Sequence, residues 1–319
     1  MSFVMQCYGS VKSAAAKLKR RSDLSDSYQF VDRSSRAATV VIVLAGYKAP
    51  LWPYVFPRLE RAIPEGTDVC IMSAGRRDEA LDELAAKNGW SYLASRTNDI
   101  CLVQNIAIAL HPAATRIVKI DEDVFVTKDT IRDCLDYLTE VKKAGVVDPA
   151  FVAPMLNING VCYRPLLERL GLLAEFEAKY GVARVATLGT ALTDDAEVAR
   201  WMWQKTSPLE STLDRIRGDG AAMLLSPVQF SIGMIVLERS FLDQIGLLPV
   251  RRHMLLMQQS TLGADEEYLC RKAVFHARPI VICPHALAGH FSFGRQYGGM
   301  LDFLATSPEV FLPPAEAAQ

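Results

Sequence analysis

The sequence lacks a paired cysteine motif, an excess of charge of either sign and a long apolar run. Its seven cysteines are scattered singly, without C-x-x-C spacing, so a structural zinc site is not indicated. The 35 Lys and Arg residues nearly balance 36 Asp and Glu, so nothing demands nucleic acid or an acidic membrane as a partner. We find no signal-peptide core and no run of transmembrane length. These absences predict a protein of the reducing cytoplasm.

Length and composition are those of an ordinary globular protein. The chain has 319 residues, of which 50% are hydrophobic and 22% charged, enough for one large α/β domain with insertions or for two domains. Residues 1–36 stand apart, with seven Lys or Arg against three Asp. We predict a solvated, basic, helical N-terminal arm there. Contact of this arm with anionic lipid, a nucleic acid or a neighbouring subunit is the alternative.

Apolar strand patterns alternate with helix patterns from residue 38 onward. The predicted strands span 39–47, 67–75, 90–94 and 116–121, and the predicted helices span 51–62, 77–88 and 100–110. Asn98-Asp99 is the expected N-cap of the third helix. This alternation predicts an α/β fold with a mostly parallel sheet flanked by helices, whose ligands bind at the carboxyl ends of the strands.

An acidic triplet, Asp121-Glu122-Asp123, follows the fourth predicted strand within the segment VKIDEDVFV. Carboxylates at a strand end are costly unless a positive charge neutralises them, and a divalent cation with phosphate ligands is a common solution. Two other interpretations stay open. The acids cap the following helix, or they lie in a solvated loop.

The second half of the chain is less regular. Residues 151–160 indicate a strand and then a loop, and a helical insertion is expected at about 164–225. Trp201 and Trp203 in this insertion pack in a core or form an aromatic platform for a sugar. A second acidic cluster at 265–267 opens a helix, and His290 follows a late strand.

Three segments carry a resemblance to a known family. They are NDICLVQNIAIALHPAATRIVKIDEDVFV, FSIGMIVLERSFLDQIGLLP and DEEYLCRKA. In this order they resemble the nucleotide-sugar-dependent glycosyltransferases of the GT-A fold, most closely the inverting glycosyltransferase family 2, over 39–294 apart from the insertion. The resemblance implies a GT-A, Rossmann-like sheet with a nucleotide-sugar-binding half at 37–150. An acceptor-binding and catalytic half at 151–297 and a C-terminal tail at 298–319 follow from it.

The resemblance also implies a divalent cation, Mn²⁺ or Mg²⁺. Asp123 would ligate it directly, and Asp121 would bind the metal through water or contact the ribose. Glu122 belongs to the same donor site, although its side chain should point the other way if the segment is extended. His290 would be a third ligand, with His285 as its rival.

The acceptor side is implied by the second acidic cluster. Glu266 falls on the position of the family's general base, and Asp265 is the runner-up. The structural alternative is that these acids only stabilise a helix N-terminus.

The donor side is implied by residues at the first strand end, on the third helix and in a mobile, Gly-rich tail. They are Ala45, Gly46, Tyr47, Gln104, Asn105 and Arg295. The sequence departs from the family at 73–75, where a base-reading Asp is usual, and at Gln104, where Arg is usual. Residues 76–78 are the candidates to replace the missing Asp. A UDP-sugar is the favoured donor.

The resemblance therefore implies a metal-dependent glycosyltransferase that transfers a sugar from a nucleotide-diphosphate donor to an acceptor hydroxyl, with inversion at the anomeric carbon. The acceptor is a glycan, a lipid-linked sugar, a protein or a modified nucleobase, and a lipid-linked acceptor would bring the protein to the inner membrane face. The alternatives are a sugar nucleotidyltransferase, for which the loop after the first strand offers only Gly46 and Lys48, and a non-catalytic glycan- or nucleic-acid-binding module.

Overall fold

A ten-stranded mixed sheet runs through the computed structural model, which describes residues 27–186, 188–218, 222–250 and 263–313. The strands are β1 (Tyr28–Val31), β2 (Thr39–Leu44), β3 (Asp68–Ala74), β4 (Ser91–Ser95), β5 (Arg116–Asp121), β6 (Val124–Val126), β7 (Phe151–Leu156), β8 (Leu224–Leu225), β9 (Met234–Glu238) and β10 (Ile280–His290). Their order is β1-β4-β3-β2-β5-β9-β7-β10-β6, and β8 pairs with β10.

Most strands share one direction. Strands β2, β3, β4 and β5 are mutually parallel, and β7 and β10 pair in parallel with each other. Because β9 is antiparallel to both β5 and β7, it joins these two groups in the same orientation. Their β-branched and apolar side chains are buried on both faces, as a sheet covered by helices requires. The predicted α/β class with a mostly parallel, helix-flanked sheet is confirmed.

The helices cover both faces of this sheet. They are α1 (Trp52–Ala62), α2 (Glu79–Lys87), α3 (Ile100–Leu110), α4 (Thr130–Ala144), α5 (Tyr163–Leu170), α6 (Leu173–Tyr180), α7 (Ala191–Asp194), α8 (Ala196–Thr206), α9 (Leu209–Arg217), α10 (Arg239–Ile245), α11 (Ala264–Phe275) and α12 (Tyr297–Thr306). Asp99 caps α3 as expected, because its carboxylate accepts the N–H of Leu102 at 3.0 Å. Gly145 ends α4 in the left-handed conformation.

Two predicted terminal segments need correction. Residues 1–26 of the predicted helical arm lie outside the described residues, but Tyr28–Val31 form an edge strand paired antiparallel with β4. The predicted C-terminal tail at 298–319 contains most of helix α12 (Tyr297–Thr306), which packs on α8. Phe311 follows it and is fully buried. Burial of these apolar side chains fixes the segment against the core.

The predicted helical insertion forms α5 to α9 and packs into the core. Trp203 is fully buried, and its indole N–H donates to the carbonyls of His290 at 3.1 Å and Phe291 at 3.2 Å. Trp201 is only 5% exposed. The two tryptophans therefore pack the core, as the first of the two interpretations held, and Trp203 holds the end of β10 in place.

The cysteines among the described residues are all buried and free, and Cys7 lies outside them. Where the chain is described, we find no helix with the length and apolarity needed to cross a bilayer.

Gly289 provides a test of this packing. A Cβ at Gly289 would overlap the indole ring of Trp203, whereas a Cβ at Gly298 in α12 would meet nothing within 4 Å. We expect Gly289→Ala to lower the free energy of unfolding by about 1–3 kcal/mol because the core is overpacked. Gly298→Ala, the matched control, should leave it unchanged or raise it by up to about 1 kcal/mol. Equal values for both variants in urea denaturation would contradict this packing.

Candidate active site

A cavity of about 460 Å³ opens at the carboxyl ends of β2 and β5. Strand β5 ends at Asp121, a tight turn carries the chain through residues 122–123, and β6 begins at Val124. The opening of α11 and the end of β10 close the other side. Of the residues predicted for the site, those that line this cavity are Ala45, Tyr47, Asp121, Glu122, Asp123, Asp265, Glu266 and His290.

Asp123 is the most tightly partnered acid of the cavity. Its side chain is 4% exposed, and its Oδ2 accepts a hydrogen bond from the ammonium of Lys48. The Nε2 of His290 lies 3.5 Å from the same oxygen. Burial alone would raise the pKa of Asp123, but the neighbouring Lys48 and His290 hold it below its usual range.

His290 is oriented by its other ring nitrogen. Nδ1 lies 2.9 Å from the carbonyl oxygen of Ile158, and a carbonyl only accepts, so Nδ1 carries a proton. The backbone N–H of His290 donates to Asn157 Oδ1 at 2.9 Å. These two bonds fix the ring so that Nε2 faces Asp123. Metal-binding histidines are oriented in the same way, by a hydrogen bond from the ring nitrogen that does not bind the metal.

Asp121 has one partnered and one unpartnered oxygen. Its Oδ2 accepts from the ammonium of Lys119 at 2.7 Å, and that ammonium also donates to the carbonyl of Ile232 at 2.9 Å. The other oxygen, Oδ1, is buried without a hydrogen-bond partner among the described atoms. Burial raises the pKa of Asp121 to about 6, Lys119 opposes that rise, and Asp123 adds to it. An orphaned buried carboxylate oxygen at this position suits an additional cation.

Glu122 points away from the two aspartates, toward the loop after β2. Its carboxylate accepts the backbone N–H of Gly46 at 3.0 Å, that of Tyr47 at 2.9 Å and the indole N–H of Trp52 at 2.6 Å. Glu122 is only 6% exposed, so these bonds replace water. The predicted donor-site residues Glu122 and Gly46 thus bind each other and shape the loop that carries Lys48.

Asp265 and Glu266 stand at the first turn of α11. Asp265 is buried and accepts the amide of Gln104 at 2.9 Å, so it has a dedicated partner. Glu266 accepts the amide of Gln229 at 2.6 Å. Burial raises the pKa of Glu266, and Asp265 adds to the rise while Gln229 opposes it. A carboxylate with a raised pKa at a cavity wall is suited to take a proton.

Gln104 and Asn105 are not placed against the cavity, contrary to the prediction. Gln104 donates to Asp265 and to the carbonyl of Ile100 at 3.1 Å. The side-chain NH₂ of Asn105 donates to the carbonyl of Leu248 at 2.9 Å, and its amide oxygen accepts the N–H of Leu248 at 3.0 Å. They therefore bind α11 and the segment that follows α10.

Arg295 and His285 also lie elsewhere. The side chain of Arg295 is 78% exposed and pairs with Asp194 at 3.4 Å. The ring of His285 packs edge-on against Tyr137, with centroids 5.1 Å apart, and is not among the residues that line the cavity. The structure thus favours His290 over His285 as the histidine of this site.

Tyr47 offers an exposed aromatic face beside the cavity. Its ring is 56% exposed, its hydroxyl donates to the carbonyl of Ala74 at 2.6 Å, and the guanidinium of Arg76 lies 5.9 Å from the ring centroid. A ring held at its tip and open on its face can stack on a planar group.

The two lysines of the cavity did not receive a role from the sequence. Lys119 sits in a buried strand, where a charged residue needs a dedicated partner, and that signal was available. Lys48 was noted only as part of the loop after β2. Its contact with Asp123 joins residues 75 positions apart and has no signature in the local pattern.

The residues around Asp123 fit a divalent cation. Across the described ranges, no three His, Cys, Asp or Glu side chains already converge as a metal centre. However, Asp123 and His290 present one oxygen and one nitrogen side by side, and Asp121 adds an orphaned oxygen. A cation that prefers oxygen and imidazole ligands, such as Mn²⁺, could take these and complete its shell with phosphate oxygens and water.

Three solved structures are similar to this chain at low sequence identity. A mannosyltransferase from Pyrobaculum calidifontis, solved with GDP-Man and Mn²⁺, is 13% identical with a TM-score of 0.48, over 88% of this chain and 65% of that one. GalNAc-T7, solved with UDP, GalNAc and Mn²⁺, is 12% identical with a TM-score of 0.48, over 88% and 52%. S. aureus TarS is 11% identical with a TM-score of 0.44, over 84% and 39%.

This chain thus spans less than two thirds of the length of each of those proteins. No protein-family model matches the sequence, and no curated protein matches it. The likeness to GT-A glycosyltransferases is a likeness of structure at low identity.

The hydrogen bonds of Glu122 can be tested by replacing one carboxylate oxygen with an NH₂ group. In Glu122→Gln, whichever way the amide turns, its NH₂ group faces a backbone or indole N–H, so a donor is left unsatisfied. We expect the free energy of unfolding to fall by about 1–3 kcal/mol. Glu65→Gln, at an exposed turn, is the control. An unfolding midpoint and slope in urea identical to those of the unsubstituted protein would show that Glu122 does not hold the loop.

Proposed function

We propose that this protein is a divalent-cation-dependent glycosyltransferase that moves a sugar from a nucleotide-diphosphate donor to an acceptor hydroxyl, with inversion at the anomeric carbon. One observation carries the proposal. Two candidate cation ligands, Asp123 and His290, and a carboxylate of raised pKa, Glu266, line the same cavity at the carboxyl ends of the sheet strands. Departure of a diphosphate and activation of a hydroxyl require these two kinds of group.

The transfer needs one base and one neutralised leaving group. Glu266 takes the proton of the acceptor hydroxyl as its oxygen forms a bond to the anomeric carbon. The bond from that carbon to the diphosphate breaks, and the diphosphate leaves with the electron pair. Direct displacement passes through no covalent intermediate, so the transfer does not need a second carboxylate as a nucleophile. One base with direct displacement accounts for inversion.

Asp123 and His290 would hold the cation, with Asp121 contributing through water or at the ribose. The cation supplies a positive charge that stabilises the diphosphate as it leaves. Tyr47, exposed beside Ala74, is the residue we propose to stack on the nucleobase. UDP is the first nucleotide to test, and Mn²⁺ the first cation.

A sugar nucleotidyltransferase is less well supported. That reaction favours a Gly-rich loop whose backbone N–H groups bind phosphate. Here the N–H groups of Gly46 and Tyr47 are bonded to Glu122, and that of Ala45 to the carbonyl of Met72 at 3.0 Å. The loop after β2 therefore has no free backbone donors at these positions for a triphosphate.

Asp123 tests the cation site. Asp123→Asn keeps the shape of the side chain and removes its charge, so we expect Mn²⁺-dependent UDP binding to weaken at least about tenfold. Isothermal titration of UDP with and without Mn²⁺ measures this. Asp136→Asn, on the exposed face of α4, is the matched control and should bind as the unsubstituted protein does. Nucleotide binding that ignores Mn²⁺ in every variant would contradict a cation-dependent enzyme.

Glu266 tests the base. Glu266→Gln keeps an acceptor for Gln229 but cannot take a proton, so sugar transfer should fall about 10²-fold or more with UDP binding unchanged. Because burial raises the pKa of Glu266 above 4.5, the rate should rise with pH through an acid limb above that value, and the variant should lose this limb. The exposed neighbour provides the control, Glu267→Gln. A larger loss in Asp265→Asn would move the base by one residue.

A further inference from the structure

We propose that Lys48 is a built-in counter-ion of the cation site, which holds Asp123 until a divalent cation takes that carboxylate and then turns to the diphosphate of the donor. The inference rests on the proposed function and assigns Lys48 the task of coupling cation binding to nucleotide binding.

Lys48 and His290 share one atom of Asp123. Lys48 donates to Oδ2 of Asp123, which is also the oxygen that faces Nε2 of His290 at 3.5 Å. A cation bound by Asp123 and His290 would lie against this oxygen. Two positive charges cannot share so small a space in a buried position, so the ammonium and the cation compete for the carboxylate.

The side chain of Lys48 is free to move although its backbone is held. The backbone before Lys48 is fixed, because Gly46 and Tyr47 are bonded to Glu122. The Lys48 side chain is 35% exposed, and its ammonium lies 5.8 Å from the ring centroid of Tyr297. A four-carbon stem can therefore move its ammonium from Asp123 to another position in the cavity by rotamer changes while the loop stays in place.

The two lysines of the cavity differ in exposure and in the number of their partners. Lys119 is 4% exposed and donates to both Asp121 and the carbonyl of Ile232, so it stays where it is. Among the lysines that line the cavity, Lys48 is the more exposed, and its described hydrogen bond is the one to Asp123. Lys48 is the ammonium that can change partners.

The charges of the cavity wall link cation binding to diphosphate binding. The cavity is lined by the carboxylates of Asp121, Glu122, Asp123, Asp265 and Glu266. Binding a cation at Asp123 releases the Lys48 ammonium, and a diphosphate then provides it with a new anionic partner. Cation binding frees the ammonium for the diphosphate, and the diphosphate gives the displaced ammonium a new partner. Mn²⁺ and a nucleoside diphosphate should therefore strengthen each other's binding reciprocally.

The test measures cation binding directly. Free Mn²⁺ is followed by electron paramagnetic resonance as it is titrated into the protein, with and without UDP. In the unsubstituted protein we expect UDP to tighten Mn²⁺ binding. In Lys48→Met, Mn²⁺ alone should bind about five- to tenfold more tightly than in the unsubstituted protein, because no ammonium competes with it. The factor by which UDP tightens Mn²⁺ binding should fall by a similar amount.

Three further variants secure the reading. Lys48→Gln is a second neutral change in case methionine disturbs folding, and Lys48→Arg keeps the charge and should keep the coupling. Lys128→Met, at an exposed position, is the matched control. If the neutral Lys48 variants bind Mn²⁺ and couple UDP as the unsubstituted protein does, the role of Lys48 is overturned and the proposed function stands. If Mn²⁺ and UDP bind independently in the unsubstituted protein, the proposed function itself is overturned.

Discussion

Neutralisation of the carboxylates at the end of β5 is the constraint on which the rest of the structure depends. Asp121 and Asp123 lie at the edge of an apolar sheet, where an ionised carboxylate without a partner is costly. The protein supplies Lys119 to the first and Lys48 and His290 to the second, from three separate elements. Strand β5, the loop after β2 and the end of β10 are therefore held together by charge as well as by packing, and they enclose the cavity.

The alternation of side chains along the chain divides the acidic triplet between two tasks. Asp121 and Asp123 face the cavity, while Glu122 between them faces the loop after β2 and accepts two backbone N–H groups from it and the indole N–H of Trp52 in α1. Those bonds order the backbone at Gly46 and Tyr47, which in turn sets where the stem of the next residue begins. The same short segment thus provides candidate cation ligands and builds the loop that answers their charge.

Local pattern was enough to predict the order of strands and helices between residues 38 and 121, because the apolar periods are strong there and a capping residue precedes the third helix. The strand end placed the acidic triplet at this edge of the sheet, and the family resemblance added the second acidic cluster and the late histidine. Local pattern failed where partners are distant. Asn105 binds a backbone 143 positions away, and Gln104 binds an acid 161 positions away, so neither is free for a ligand. The strand at Tyr28–Val31 is defined by pairing with β4, which a polar flanking sequence concealed.

The fixed loop also constrains how a diphosphate can be held. In many nucleotide sites backbone N–H groups at a helix N-terminus or a Gly-rich turn carry the phosphate charge. Here the donors of Gly46 and Tyr47 are consumed by Glu122, so the positive charge for a diphosphate has to come from a cation and from side chains. Carboxylates in excess over ammonium groups at the cavity wall would repel a diphosphate that arrives alone. A site built in this way admits its anionic ligand only together with a cation, which is why we expect cation and nucleotide to bind as a pair.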